Sequence, residues 1–228
     1  MAAPRGQATT QGKAGLTGKS ERTRGRILDA AAHVLSRKGY AGTRLTDVAA
    51  LAAVQTAAIY YYFASRDELI EEVMWAGAHR VRTEVERALT ALPPDTPPLD
   101  RIDEAVRAHL VCELEISDYA TASIRNAGQV PEHLRVRPAA EEHLYSALWR
   151  DLFHAARESG ALREGLDVSV SRLLLLGAMN WATEWWDPQR RSLDELVHAT
   201  QLLVRHGMGA ADASPESPGR PRGNTATP

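Results

Sequence analysis

An all-α fold follows from three features of the sequence. Apolar residues recur at helical spacing, as at Leu45, Val48, Ala49 and Ala52, which fall at i, i+3, i+4 and i+7. Boundary signals match that spacing. Ser65-Arg66-Asp67-Glu68 is a capping box, and Pro93-Pro94, Pro97-Pro98 and Asp187-Pro188 impose stops. No segment carries a convincing strand alternation, and there is no internal repeat.

Residues 1–19 are rich in Gly, Ala, Thr and Gln, with Arg5, Lys13 and Lys19 and no periodicity, so a disordered basic arm is expected. The first helix buries Ile27, Leu28, Ala31 and Leu35. Lys38-Gly39 ends it with a cation near the C-terminus and a residue free to take positive φ. Thr43 is the expected N-cap of the second helix. A third, short helix carries Val54, Ala58, Ile59 and Phe63 inward and leaves Thr56, Ala57 and Tyr61 off that set. Two short helices joined by about three to four residues follow the helix-turn-helix plan. Small or flat polar groups on the outer face of the second suit a helix pressed into a major groove.

From Ser65 a long helix should reach about Ala91. The next is expected from Leu99 to Ile116, with Ile102, Val106, His109, Leu110 and Leu114 on or near one face. A short helical piece over 119–127 ends at Gly128, and Pro131 opens a helix running to Glu158. Two more are expected over Val168–Trp186 and Ser192–His206, and the Pro/Gly/Ser-rich tail beyond should be disordered. The domain plan is thus an arm over 1–19, a helix-turn-helix domain over 20–66, a helical body over 67–207 and a tail over 208–228.

The composition, 44% hydrophobic and 25% charged, is that of an ordinary globular protein, and 228 residues suffice for one or two cores. The apolar run Leu173–Met179 is far too short to span a bilayer, and the N-terminus lacks the apolar stretch of a signal peptide. A lone Cys112 excludes an internal disulfide and fits a cytoplasmic location. The net charge of −2 conceals an asymmetry: the first 70 residues hold ten Lys and Arg against five Asp and Glu, the other 158 seventeen against twenty-four. A basic end on an acidic body points to one end meeting a polyanion.

Residues 24–70 closely resemble the DNA-binding domain of the TetR family of bacterial transcriptional regulators. The matching pieces are Arg26-Ile27-Leu28, Ala30-Ala31, Gly39-Tyr40, Thr43, Asp47-Val48-Ala49, Val54, Ile59-Tyr60, Tyr62-Phe63, Ser65-Arg66 and Leu69, in that order and at the family's gaps. Three positions depart from the pattern. Ala53 stands where Gly is usual, Gln55 where Ser caps the recognition helix, and Arg66 where Lys is common. Ala in a left-handed turn costs on the order of 1 kcal/mol.

By this resemblance Thr43, Tyr60, Tyr62 and Arg66 are expected to hold phosphates, while Thr46, Thr56, Ala57 and Tyr61 face bases. Arg44 and Gln55 complete the expected DNA-contact set. The resemblance also implies a homodimer built from the last two helices, and Leu173, Leu176, Asn180, Leu196, Val197, Thr200, Leu203 and Val204 are its expected interface. Two recognition helices at a fixed distance read a palindrome.

The aromatics concentrate in the body, and Gly177–Trp181, Trp185-Trp186 and Pro188 resemble a segment of TetR-like regulators that respond to acyl-CoA thioesters. Leu110, Leu114, Tyr119, Arg125, Trp149, Phe153, Trp181 and Trp185 are the expected ligand contacts, with Arg125, Arg135, Arg137 and Arg150 available for CoA phosphates. Each Trp also fits a core or an interface. Glu113, Glu115 and Glu184 are available to neutralise a cationic ligand.

The histidines His109, His133, His143 and His154 are scattered, so no metal or cofactor is expected. No nucleophile elbow, P-loop or dinucleotide fingerprint is present, which argues against an enzyme. The expected function is a dimeric repressor released from a palindromic operator by a small apolar effector such as an acyl-CoA. The alternatives are an effector-independent or architectural DNA-binding protein, and a repressor responding to an antibiotic-like or cationic aromatic compound.

Overall fold

The computed structural model describes residues 10–116 and 118–210, with side chains from 20 onward except at 116. Helices make up the described chain, and a lone bridge between Leu162 and Gly209 is its one β element. None of these helices is long and apolar enough to cross a membrane.

Helix α1 spans Thr10–Gly42, so the expected arm is helical from Thr10; residues 1–9 lie outside the described residues. Its axis breaks at Gly39, where φ is 69° and ψ 177°, a conformation closed to residues with a Cβ. Helices α2 (Leu45–Leu51) and α3 (Thr56–Tyr62) follow. Ile27, Leu28, Ala31 and Leu35 of α1 pack with Val48, Ala49, Ile59 and Phe63, and with Leu69, Ile70, Val73 and Met74 of α4 (Arg66–Thr90). Ser65 caps α4 by accepting from the Glu68 amide at 3.0 Å, but the Glu68 carboxylate takes the Ala64 amide at 2.6 Å instead of that of Ser65.

Beyond α4 lie α5 (Pro98–Val111), α6 (Asp118–Asn126), α7 (Val136–Glu158), α8 (Val168–Trp185) and α9 (Leu193–Leu203). The helix expected to continue to Ile116 changes to π geometry over Cys112–Ile116, and α9 likewise gives way to a π turn over Val204–Met208. The helix expected from Pro131 starts at Val136, after a 3-10 turn over Glu132–Leu134. Pro138 explains the delay. It has no N–H to give residue 134, so it fits only in a first turn. Past α9, Ala210 donates to the Ala161 carbonyl at 2.8 Å and the Met208 carbonyl accepts from Arg163, so residues 208–210 belong to the body. The tail expected beyond them lies outside the described residues.

A second core joins α4, α5, α7, α8 and α9 around Val85, Ile102, Leu110, Trp149, Phe153, Met179 and Val197. Helices α4 and α6 approach so closely that a Cβ on Gly77 would lie 2.2 Å from the Tyr119 carbonyl oxygen. That contact sets α6 between the head and the body.

Candidate functional site

Helix α3 is anchored by one fully buried side chain, Ile59, and by Phe63 just past its end. Its other face is open: Ala57, Tyr60 and Tyr61 are exposed, Tyr61 at 81%. Thr56 and Tyr62 are half-buried, and the Tyr62 ring packs edge-on against Tyr61 with centroids 5.0 Å apart. Arg44, Thr46 and Gln55 are exposed on the same head. Of the ten expected DNA contacts, these eight and the half-buried Arg66 retain access to solvent on or beside α3.

Two of the ten need correction. Thr43 is buried, and its hydroxyl donates to the Gly39 carbonyl at 2.7 Å, so it neither caps α2 nor reaches a phosphate. The N-cap of α2 is Arg44, which makes no side-chain cap. Arg66 also turns inward. Its guanidinium lies 4.4 Å from the Tyr40 ring centroid, donates to the carbonyls of Thr43 (2.8 Å) and Tyr40, and pairs with Asp67 at 3.1 Å. Those carbonyls lie at and just past the end of α1, where no amide four residues on reaches them, and the planar fork of Arg bonds both. Arg66→Ala is therefore expected to lower stability by about 2 kcal/mol through the lost hydrogen bonds. Thermal unfolding without DNA checks this; an unchanged midpoint would return Arg66 to a role on DNA alone.

The two other departures from the family pattern carry conformational costs. Ala53 holds φ at 53°, the left-handed region, and Gln55 caps α3 with no side-chain hydrogen bond. Ala53→Gly and Gln55→Ser should each stabilise the head by about 1 kcal/mol. For a chain of this size each then raises the melting midpoint by about 2–4 °C. A calorimetric scan showing no gain in the double variant would contradict this account of the turn.

The body holds a cavity of about 480 Å³ between α4, α5, α6, α7 and α8. Gly77, Val81, Ile124, Tyr145 and Leu176 supply apolar wall, and Glu113, His109, Ser123 and Asn180 the polar groups. None of the eight expected ligand residues lines it. Leu110, Trp149 and Phe153 are wholly buried in the core behind it, and Leu114 packs on that core. Tyr119 belongs to the head, where its hydroxyl donates to Asp29 at 2.8 Å.

Trp181 and Trp185 are exposed, at 65% and 50%. They share an outer face of α8 with Val170, Leu173 and Leu174, while Leu203 is exposed on α9. The expected interface set divides in turn. Leu203 lies outside, Leu173 is exposed at the cavity rim, Leu176 and Asn180 line the cavity, and Leu196, Val197 and Val204 are buried in their own core. Thr200 is half-buried and donates to the Leu196 carbonyl. The Cys112 thiol, pushed up to about 12 by burial and by the Glu113 charge, has no thiolate character for redox sensing.

Sequence reasoning missed the part played by α6. Ala120, Ser123, Ile124 and Ala127 on one side of it face the cavity. The other side grips α1. Ser36 and Tyr40 would pair as carbonyl and amide in an unbroken helix, and the break at Gly39 parts them. Asn126, fully buried, accepts from the Tyr40 amide at 2.7 Å, and Arg125 donates to the Ser36 carbonyl at 3.1 Å. Arg125, expected at a phosphate, also bonds the Thr183 carbonyl and Glu184 of α8, both at 2.7 Å. His33 meets Asp118 at 3.0 Å on the same seam. No sequence pattern signals contacts between residues some ninety positions apart.

Comparison with known proteins agrees with this architecture. Residues 27–73 match the family described as bacterial regulatory proteins, tetR family, and residues 95–208 match the tetracyclin repressor-like C-terminal domain. The chain is 23% identical over 183 residues to the fatty acid metabolism regulator protein of Bacillus subtilis (strain 168), covering 78% of this chain and 90% of the relative. It is 23% identical over 185 residues to the HTH-type transcriptional repressor KstR2 of Mycobacterium tuberculosis (strain ATCC 25618 / H37Rv), covering 76% and 86%. Among solved structures, AibR in complex with isovaleryl coenzyme A and operator DNA superposes with a TM-score of 0.72 at 19% identity, over 79% of this chain and 97% of that one. An exposed recognition helix, a helical body and two matching domains lead to one conclusion: the chain belongs to the TetR family of DNA-binding transcriptional regulators and is not an enzyme.

Proposed function

We propose that the protein is a dimeric repressor that reads a palindromic operator with two copies of α3 and leaves it when a small apolar effector enters the body cavity. The observation that carries this reading is the placement of α6, with cavity on one side and the break in α1 on the other. An effector that shifts α6 against α4 moves α1, and with it the spacing of the two recognition helices. A ligand favouring the mis-spaced state weakens operator binding by linkage. Dimerisation through the outer face of α8 gives Trp181, Trp185, Leu173 and Leu174 a partner surface that the single chain does not provide.

An acyl-CoA effector is supported by the AibR complex with isovaleryl coenzyme A. Arg135, on a groove that shares Ala127 and Glu142 with the cavity wall, is then a candidate phosphate ligand. The remaining candidates serve other partners. Arg137 is bound to Glu72 and stacked on Trp75, and Arg150 lies 3.9 Å from Asp151.

Native mass spectrometry of freshly purified protein tests the assembly and the effector together. Two chains per particle, with operator DNA displaced as a small molecule binds, are the expected outcome. A monomer, or a ligand bound equally well with and without operator, would overturn the reading.

A further inference from the structure

Glu113 is the anomaly of the cavity. Its side chain is wholly buried, yet it lies on the cavity wall. His109 Nε2 lies 2.8 Å from its Oε1, but off the line of a hydrogen bond, so neither carboxylate oxygen is satisfied. A buried carboxylate without a hydrogen bond is costly enough that an interior retains it only with a partner.

The neighbours define what that partner must be. His109 Nδ1 lies 2.7 Å from the Tyr145 hydroxyl. Burial holds that phenol well above its usual range, so it stays protonated against the ring. The only other ionisable group on the wall is Glu142, exposed at the rim, and no Lys or Arg lines the cavity. The rest of the wall is largely alanine, valine, isoleucine, leucine and glycine. Glu113 also sits in the π-helical turn Cys112–Ile116, a local departure from α geometry of the kind that often marks functional sites.

We propose that this cavity takes an apolar molecule bearing a cationic nitrogen, whose N–H donates to the Glu113 carboxylate. This rests on the reading of the cavity as the effector site and names its ligand class. An acyl chain in the same place would lay hydrocarbon against the Glu113 carboxylate and leave its oxygens without a hydrogen bond, so the effector class is an amine in place of an acyl-CoA. A protonated amine supplies both the missing donor and the missing charge.

The test is calorimetric titration of the full chain, without DNA, with decylamine, decanol, decanoate and octanoyl-CoA at neutral pH. Decylamine is expected to bind about tenfold or more tighter than decanol, and decanoate more weakly than either. Glu113→Gln keeps the shape and removes the charge, so it should bring the amine and the alcohol within about twofold. That variant should melt no lower than the parent, because it loses a buried charge. Leu176→Trp fills the cavity and should abolish binding of both.

Equal affinity for amine and alcohol, an amine preference that survives Glu113→Gln, or decylamine binding that survives Leu176→Trp would each overturn the proposal. If octanoyl-CoA binds and releases operator while decylamine does not, the amine assignment falls and the effector reading stands. If no probe binds or releases operator, both fall.

Discussion

A Trp181→Glu chain is expected to be a folded monomer that binds operator about a hundredfold to ten-thousandfold more weakly than the parent. Trp181 is 65% exposed, so little in its own chain depends on it. Around it lie Val170, Leu173, Leu174 and Trp185, with Gly177 and Ala178 between them. That pattern is a helix face with large residues at both ends and small ones in the middle, which lets a second helix approach closely. A carboxylate on that face, buried against a symmetric partner, places two like charges in a desolvated interface. Once the dimer is lost, each recognition helix binds its half-site alone and forfeits the effective concentration that linkage supplies, a factor of about 10²–10⁴. Sedimentation velocity reads the mass, thermal unfolding the fold and gel shift the affinity. A variant that stays dimeric would place the interface on another face.

Tyr61→Ala is expected to leave folding untouched and to cost about a hundredfold or more in operator affinity, with loss of discrimination between operator and random DNA. Tyr61 is the most exposed large hydrophobic residue of those described, at 81%, and its ring packs edge-on against Tyr62. Each base-directed contact carries about 1–3 kcal/mol of discrimination, and a dimer loses two of them at once. The contrast with Arg66 is sharp, because Arg66 is bound to its own backbone and its loss acts through stability. Gel shifts at two salt concentrations separate the cases: Tyr61→Ala should keep the salt slope while the specific and non-specific curves converge. A uniform loss on every sequence would make Tyr61 a phosphate contact.

The reading head was legible because each of its parts is local. Ile59 and Phe63 lie four residues apart and must share a face, which leaves Ala57 and Tyr61 outside whatever the body does. Ala53 in a left-handed turn follows from the same short-range geometry. The body was less legible, since helical spacing shows which residues share a face and not what covers it. Trp181 and Trp185 fit a pocket wall or an outer face equally well, and the structure places them outside. Leu196, Val197, Leu203 and Val204 form one stripe in the sequence, yet its edge is split between the core and solvent.

Thr43 and Arg66 turned inward because the end of α1 exposes backbone carbonyls, a demand that appears only once the chain is folded. The bonds of Asn126 and Arg125 to α1 depend on the break at Gly39. Glu113 was visible as a candidate for a cationic ligand, but not as a carboxylate buried without a hydrogen-bond partner.

The central claim is that two copies of α3 are presented together to one duplex. Selection of tight binders from a random duplex pool by the full-length protein tests it most directly. The account predicts recovery of an inverted repeat whose half-sites are about one helical turn apart, or a multiple of it. Recovery of an isolated half-site, or of no enriched sequence at all, would contradict it.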